Sequence, residues 1–249
     1  MALQQELRQR GNFLFKHRSY LPIVIIVVGL IVFVQSKLGH NQPGWINYYD
    51  IGCVMASAFG LLIRCLAVGY SADHTSGRNT SAGQIADDIN ATGLYSICRH
   101  PLYVGNFFMW LGIAMFTLNF WFIVAFIFVY WLYYERIIYA EEAFLIDKYG
   151  SKYLDYSENV PPFIPVFSKW KKSANQFSWI KVIRQEKTGV LNLFLMVFVF
   201  KTIGDYLLYQ NLPSLNSYWS AGLLIGIGWY AMIKIIQKKT KLLTVDRRA

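Results

Sequence analysis

The 249-residue sequence has few acidic residues and few cysteines, and both shortages restrict what the protein can be. Cys53, Cys65 and Cys98 form no CxxC pair and no zinc-like pattern with the four histidines, so neither a disulfide framework nor a metal site is expected. Asp and Glu number 14 against 24 Lys and Arg, which gives a formal net charge of +10. Such an excess is typical of proteins that meet nucleic acid or an anionic lipid surface.

The sequence also lacks internal repeats, and it lacks the Gly-rich dinucleotide loop that follows a strand in soluble cofactor-binding domains. Apolar residues are in excess: 55% of the chain is hydrophobic, 17% is aromatic, and the mean hydropathy is +0.32. The basic residues cluster beside long apolar runs rather than forming a separate basic face. The bilayer is therefore the expected anionic partner, and nucleic acid is not expected.

The apolar runs predict an all-α polytopic membrane protein with about six transmembrane helices. A membrane-spanning helix needs about 20 mostly apolar residues. Four segments meet that length, namely 20–38, 47–69, 189–209 and 218–236. The stretch 105–138 is too long for one span, and Thr117-Leu118-Asn119 near its middle predicts two helices in a tight hairpin.

The distribution of Lys and Arg predicts that both termini are cytoplasmic, since cytoplasmic loops carry an excess of these residues. Four lie before the first span, two in 71–104, nine in 136–188 and five after Gln237. The loops near 40, 119 and 213 have none, apart from Lys37 at a helix edge. The expected location is a bacterial inner membrane, or the endoplasmic reticulum if the source is a eukaryote.

The chain is expected to divide into an anchor, a core and a C-terminal part, with boundaries at 1–46, 47–167 and 168–249. Pro161, Pro162 and Pro165 cannot continue a helix, so a turn back along the membrane surface is expected there. Aromatic and basic residues mix between 168 and 188. This mixture fits either a helix in the headgroup layer or a solvated basic linker.

The run from Thr92 to Asn106 concentrates side chains that suit a cofactor site. Pro101 can open a helix at its first turn, where its missing N–H is harmless, and Gly93 and Gly105 allow a close approach of the backbone to a ligand. Arg99 offers a planar pair of donors for a carboxylate, and free N–H groups at a helix start favour anionic ligand groups.

A second cluster follows the predicted hairpin and contains Glu135, Glu141, Glu142 and tyrosines at 149, 153 and 156. Adjacent carboxylates at a membrane boundary need a reason. A sulfonium cofactor supplies one, because carboxylates and aromatic faces accommodate its positive charge and its ammonium group. By themselves, Glu141 and Glu142 are also explained as a solvated helix end.

Arg99-His100-Pro101-x-Tyr103-x-Gly105, followed by Glu141-Glu142, Tyr149-Gly150 and Tyr153, resembles the isoprenylcysteine carboxyl methyltransferase and phospholipid methyltransferase family. The resemblance covers roughly residues 50–167. It implies an integral membrane, non-Rossmann enzyme that uses S-adenosylmethionine, with a cytoplasmic pocket between the loop before a helix hairpin and the segment after it. The cofactor-binding residues that it implies or suggests are Tyr95, Arg99, His100, Pro101, Tyr103, Gly105, Glu141 and Glu142.

Finer roles follow as inferences from that resemblance. Arg99 is expected to bind the methionine carboxylate, and the aromatic residues the adenine and sulfonium groups. Glu141 or Glu142 is expected to bind the amino group or the ribose hydroxyls.

Other charged residues lie outside the motif. Arg64 and Arg78 are candidates for holding an anionic acceptor, because guanidinium pairs with carboxylate or phosphate oxygens. An Arg64 side chain that extends to phospholipid headgroups is an equally good interpretation. Arg78 and Glu142 are the candidate catalytic residues. Lys201 and Asp205, four residues apart in the fifth span, are expected to neutralise each other.

The predicted function is methyl transfer from S-adenosylmethionine to a lipid or lipid-linked acceptor at the cytoplasmic face, by in-line displacement. A carboxylate or phosphate oxygen is favoured as acceptor, with a phospholipid amine as a further candidate. Two alternatives stay open: an NADPH-dependent membrane sterol or enone reductase, and a non-enzymatic transporter or assembly factor. The expected partner is a membrane lipid or lipidated substrate, and neither nucleic acid nor a metal is expected.

Overall fold

The computed structural model describes residues 2–18, 20–38, 46–72, 79–80, 83–84, 88–210, 217–240 and 243. Eight α-helices lie within these residues: α1 (Leu3–Lys16), α2 (Tyr20–Lys37), α3 (Ile46–Tyr70), α4 (Pro101–Met115), α5 (Phe120–Tyr149), α6 (Ser151–Asn159), α7 (Trp179–Tyr209) and α8 (Tyr218–Lys239). Two strands of two residues each, β1 (Asn79–Thr80) and β2 (Gly83–Gln84), pair antiparallel between α3 and α4. Short 3-10 helices lie at Leu94–Ser96 and Phe167–Lys169.

Six of the helices in the described part of the chain are apolar, which confirms the predicted all-α membrane architecture. The helices α3, α5, α7 and α8 are long and apolar enough to cross a membrane, whereas α2 and α4 are shorter. Large apolar side chains on these helices are exposed, among them Trp121, Phe128 and Leu224. Such exposure is expected of helix faces that contact lipid, since a lipid environment removes these side chains from water.

The hairpin between α4 and α5 turns where the sequence predicts it. Pro101 stands in the first turn of α4, and Leu118 takes a left-handed φ of 53° after the helix ends. The side chain of Asn119 then caps α5 by accepting a hydrogen bond from Phe122 N at 2.9 Å. The cap satisfies one of the N–H groups that a helix start leaves free.

Small residues bring α3 and α4 together. An added Cβ on Gly60 would lie 2.4 Å from Gly105 O, and one on Gly112 would lie 2.2 Å from Ser57 Oγ. The two backbones can approach this closely only because the side chains are absent. The contact holds the start of α4 against the second half of α3.

The segment 168–188 is helical in its second half, and its position relative to the headgroup layer stays a prediction. From Trp179 onward it is the first part of α7, a continuous helix of 31 residues that Ser178 caps. At about 1.5 Å per residue α7 is about 45 Å long, so its first turns extend beyond a hydrocarbon layer of about 30 Å. Ser178 N donates to Gly69 O at 2.9 Å and Lys181 Nζ to Ser71 O at 2.7 Å, which fixes the start of α7 to the end of α3.

The predicted pair of Lys201 with Asp205 is wrong. Lys201 Nζ donates to Asp50 Oδ2 at 2.6 Å, so the pair joins α7 to α3 rather than two turns of one helix. Asp50 is buried, and Lys201 also lies over the ring of Trp219. A charge inside a membrane bundle is costly without a partner, and here the partner comes from another helix.

Candidate functional site

Backbone hydrogen bonds hold the loop before α4 against the segment after α6. Pro161 and Pro162, which follow α6, have no N–H to donate, but their carbonyl oxygens accept hydrogen bonds. The bonds run from Arg99 N to Pro161 O (2.9 Å), from His100 N to Pro162 O (3.1 Å), from Val166 N to Ile97 O (2.9 Å) and from Gly93 N to Lys171 O (2.9 Å). The loop that carries the first part of the motif and the segment after α6 are therefore parts of one local structure.

Arg99 joins this loop to α5 and α6. Its Nε and Nη2 donate to the two carboxylate oxygens of Glu142 at 2.8 and 3.0 Å, which makes a bidentate pair. Its Nη1 donates to the backbone carbonyls of Ser157 and Val160 at the end of α6. Every nitrogen of the guanidinium thus donates to a protein group. These bonds fix the loop before α4, α5 and the end of α6 relative to one another.

His100 lies between the two adjacent carboxylates. Its Nε2 is 3.0 Å from Glu142 Oε1, and its Nδ1 is 3.5 Å from Glu141 Oε2. Burial of the ring opposes protonation, but hydrogen bonds to both glutamates and their negative charges outweigh it and raise the pKa of His100 above its ordinary value. Two basic side chains and two carboxylates therefore lie together along this wall of the site.

Tyrosines form the rest of the wall. Tyr103 stacks on His100 with ring centroids 5.7 Å apart, and its carbonyl accepts a hydrogen bond from the Tyr130 hydroxyl at 2.7 Å. The Tyr156 hydroxyl donates to Tyr95 O at 2.7 Å. Burial raises the pKa of Tyr95 and of Tyr156, so both phenols are neutral near pH 7.

The wall borders a cavity of about 600 Å³, a volume within the range of small-molecule sites. Its polar end is lined by Tyr95, Arg99, His100, Glu141, Tyr153 and Tyr156. From there it continues past Arg64 to Ile113 and Met196, between α3, α4 and α7. One cavity therefore connects a polar, charged end with the apolar interior of the bundle.

Arg64 does not extend towards lipid headgroups, so that interpretation of the residue is wrong. Its Nε and Nη2 donate to the Glu186 carboxylate at 2.9 and 2.7 Å, and its Nη1 donates to Asn106 Oδ1 at 2.7 Å. The Glu186 side chain is only 3% exposed. Arg64 thereby ties α3, α4 and α7 together at the cavity wall.

The other predicted site residues fall into three groups. Pro101 and Tyr103 line the cavity with the residues of its polar end. Glu142 lies behind that lining, bound to Arg99 and His100, and Gly105 faces α3, where an added Cβ would lie 2.5 Å from Arg64 Cγ. Arg78 lies outside the residues that the structure describes.

Sequence reasoning missed the contribution of α7 to the cavity. Arg184, Glu186, Asn192 and Met196 line it from that helix. One residue could have indicated from the sequence that this helix contributes to the site. Glu186 is the sole acidic residue between Glu158 and Asp205 and lies just before a predicted span. An acid in such a place needs a partner, and in the folded chain the partner is Arg64.

Known proteins resemble the part of the chain that holds the site. The sequence profile of phospholipid methyltransferases matches residues 53–152. The protein-S-isoprenylcysteine O-methyltransferase of Saccharomyces cerevisiae is 32% identical over 116 residues, covering 46% of this chain and 48% of its own. The enzyme of that name from Tribolium castaneum is 34% identical over 163 residues, covering 64% and 57%.

A relative with a different name also matches. The nickel-cobalt-cadmium resistance protein NccN of Alcaligenes xylosoxydans xylosoxydans is 27% identical over 165 residues, covering 66% of this chain and 71% of its own. No solved structure matches the chain at a significant level. The chain spans about half the length of the isoprenylcysteine methyltransferases that it matches. Residues 53–152, which hold the paired Arg99 and Glu142, are thus similar to the phospholipid methyltransferases, and part of the chain is similar to isoprenylcysteine O-methyltransferases.

Proposed function

We propose that this protein is a membrane methyltransferase that moves the methyl group of S-adenosylmethionine to an anionic oxygen of a lipid-like acceptor, at the cytoplasmic face of the membrane. The observation that carries the proposal is the single cavity that joins a charged, tyrosine-lined end to an apolar interior. A water-soluble cofactor and a membrane-embedded acceptor need a site of this kind, because each must reach the same point from a different phase.

The polar end of the cavity fits the proposed cofactor. Glu141 lines it as a carboxylate that suits an ammonium group, and Tyr95, Tyr103 and Tyr153 present aromatic faces that suit a sulfonium or an adenine. When bound there, S-adenosylmethionine supplies a methyl group activated by its positive sulfur.

The chain's own residues would hold and align the reactants. Arg99 and His100 fix Glu142, and the same network sets the position of the neighbouring Glu141. We therefore assign Arg99 and Glu142 positioning roles and give Glu141 the direct contact, which changes the expectation that Arg99 binds the methionine carboxylate. Alignment of this kind can supply much of the rate enhancement.

An anionic acceptor makes a general base unnecessary. The acceptor oxygen would attack the methyl carbon in line, the carbon–sulfur bond would break, and its electron pair would stay on sulfur to give a neutral thioether. No proton moves in that step. Exclusion of water by the tyrosine wall and the apolar interior would strengthen the attraction between the two charged reactants.

The names of the relatives favour a prenylated carboxylate as acceptor. Because the match covers about half of those proteins, their substrate is a starting hypothesis for this chain, and a lipid phosphate is the competing one. Arg78 stays a candidate for holding the acceptor's anionic group. Cytoplasmic termini and an inner or endoplasmic reticulum membrane are likewise part of the proposal.

Cofactor binding tests the proposal directly. Calorimetry on the purified protein should detect S-adenosylhomocysteine binding and no NADPH binding. Glu141→Gln should weaken that binding by about tenfold, since a charge-assisted hydrogen bond is worth about 1.5–3 kcal/mol. Glu135→Gln is the matched control, because Glu135 lies on the same helix and is exposed.

Two results would overturn this assignment. Binding of NADPH without S-adenosylhomocysteine would indicate a reductase. Equal affinity for S-adenosylhomocysteine in the wild type and in Glu141→Gln would remove Glu141 from the cofactor site.

A further inference from the structure

The N-terminal helix α1 packs along the second half of α5, which carries the acidic pair of the site. An added Cβ on Gly11 would lie 2.2 Å from Arg136 O and 2.8 Å from Ala140 Cβ, so a side chain at this position would prevent the close approach of the two helices. The Tyr133 hydroxyl also donates to Leu14 O at 3.3 Å. These contacts fix α1 beside the polar end of the cavity.

Two side chains from the end of this helix line the cavity, namely Phe15 and Arg18. Phe15 is only 3% exposed and belongs to the same apolar cluster as Tyr103 and Tyr134. Arg18 follows the last turn of α1, and its guanidinium carbon lies 4.5 Å from the centroid of the Phe15 ring. Both residues precede the part of the chain that the phospholipid methyltransferase profile matches, so the resemblance gives neither of them a role.

Arg18 lies at the charged end of the cavity. The charges of Glu141 and Arg18 both act on the hydroxyl of Tyr103, so both residues lie near that hydroxyl. Tyr103 in turn stacks on His100. A carboxylate and a guanidinium from different helices therefore border the same part of the cavity.

The carboxylate of the proposed cofactor needs a cationic partner, and two of the arginines that line the cavity are already bound through their whole guanidinium groups. All three nitrogens of Arg99 donate to Glu142 or to backbone carbonyls. All three nitrogens of Arg64 donate to Glu186 or Asn106. Neither arginine can take a further carboxylate without giving up a partner.

The other basic residues of the described chain that line the cavity are Arg18, Arg184 and Lys187. Arg184 and Lys187 belong to α7, and the Lys187 ammonium donates to Arg184 O at 2.7 Å. Arg18 has partners of its own in the folded chain, but a guanidinium carries five N–H donors around its edge. An arginine that lies over a ring can therefore still form a bidentate pair with a carboxylate.

We infer that Arg18 binds the carboxylate of the amino-acid part of S-adenosylmethionine, while Glu141 binds the ammonium group. An α-amino acid carries both groups on one carbon, so their protein partners must lie close together. Arg18 and Glu141 meet this requirement beside Tyr103. The N-terminal segment, expected from the sequence to be an anchor, is then also part of the cofactor site. This inference deepens the proposed function and rests on it for the identity of the cofactor.

Calorimetry with two ligands isolates the contribution of the carboxylate without turnover. The ligands are S-adenosylhomocysteine and its decarboxylated analogue, which keeps the amine and lacks the carboxylate. Arg18→Gln removes the guanidinium charge. Arg10→Gln is the matched control, since Arg10 is an exposed residue of α1 and is not among the residues that line the cavity.

The expected result is a loss that depends on the carboxylate. Arg18→Gln should weaken binding of S-adenosylhomocysteine by about tenfold, equivalent to about 1.4 kcal/mol, and leave the affinity for the analogue within about twofold of the wild type. Arg10→Gln should change neither affinity. Binding of the analogue also reports that the variant is folded. If Arg18→Gln is not recovered as folded protein, Arg18→Met makes the same test, because it keeps an unbranched side chain over Phe15.

Three results would overturn the inference and leave the proposed function standing, because the wild type still binds S-adenosylhomocysteine in each. These are unchanged affinity for S-adenosylhomocysteine in Arg18→Gln, an equal loss of affinity for both ligands in that variant, and a loss of the same size in Arg10→Gln. The second of them would give Arg18 a purely structural role. Wild-type protein that binds neither ligand would overturn the proposed function, and this inference with it.

Discussion

At the scale of single residues, the site is organised around a buried histidine that meets two carboxylates. Glu142 is shared by His100 and Arg99, and Glu141 contacts the other ring nitrogen. Each carboxylate therefore has a basic partner, which offsets the cost of removing it from water. The arrangement leaves Glu141 as the carboxylate that borders the cavity.

The raised pKa of His100 predicts a pH dependence of stability. A group whose pKa is higher in the folded than in the unfolded state stabilises the folded state when it is protonated. This stabilisation is complete at pH values below the pKa of the unfolded state, about 6.5, and is lost as the pH rises through the pKa of the folded state. His100→Gln should therefore lower the thermal unfolding midpoint most near pH 6, and the difference from the wild type should narrow towards pH 9.

Thermal unfolding of detergent-solubilised protein across that range makes the measurement, with His17→Gln as the control for loss of a histidine elsewhere. A difference that widens as pH rises would mean that His100 is neutral in the folded protein.

At the scale of secondary-structure elements, the sequence predicted those features that are determined by residues close together in the chain. The lengths of the apolar runs predicted the apolar helices. The Thr117-Leu118-Asn119 break predicted the hairpin, because turn and cap residues determine the conformation of their own neighbours. The partners of Arg64 and Lys201 could not be predicted in this way. Both pair with residues on other helices, and those pairings depend on how each helix is rotated in the bundle.

The candidate site likewise contains residues that could be predicted from the sequence and residues that could not. The motif residues around Arg99 and Glu142 could be predicted to share a pocket, because family resemblance transfers position by position. The wall from α7 could not, since the acidic and basic residues of 179–188 read equally well as a surface segment. Only the packing of α7 on α3 reveals that Glu186 points inward.

The close contact of α3 with α4 predicts a strong effect of one methyl group. Gly60→Ala would place Cβ 2.4 Å from Gly105 O, so the helices must separate, and overpacking of this kind costs about 1–3 kcal/mol. Gly52→Ala on the same helix is the control, because an added Cβ there meets nothing within 4 Å.

The measurement is the thermal midpoint of each purified variant in one detergent. Gly60→Ala should unfold at a clearly lower temperature than Gly52→Ala. Equal midpoints would contradict the packing of α4 on α3, and with it the placement of the loop that begins the site.

At the scale of the whole molecule, one bundle combines the region that matches the phospholipid methyltransferase profile with helices outside that match. The matched region 53–152 supplies the charged end of the cavity, and α7 closes the apolar side. In the proposed orientation the charged end of the cavity faces the cytoplasm and its apolar end lies within the bilayer. A soluble methyl donor and a membrane-borne acceptor would then meet without either leaving its own phase.

The most direct test of that account is methyl transfer itself. Membranes that contain the protein are incubated with S-adenosylmethionine labelled in its methyl group, and the lipid-soluble products are extracted and identified. The account predicts label in a product whose anionic oxygen has become a methyl ester, reduced at least about tenfold by Glu141→Gln and unchanged by Glu135→Gln. Lipid-soluble label that is equal in wild-type and Glu141→Gln membranes would contradict it.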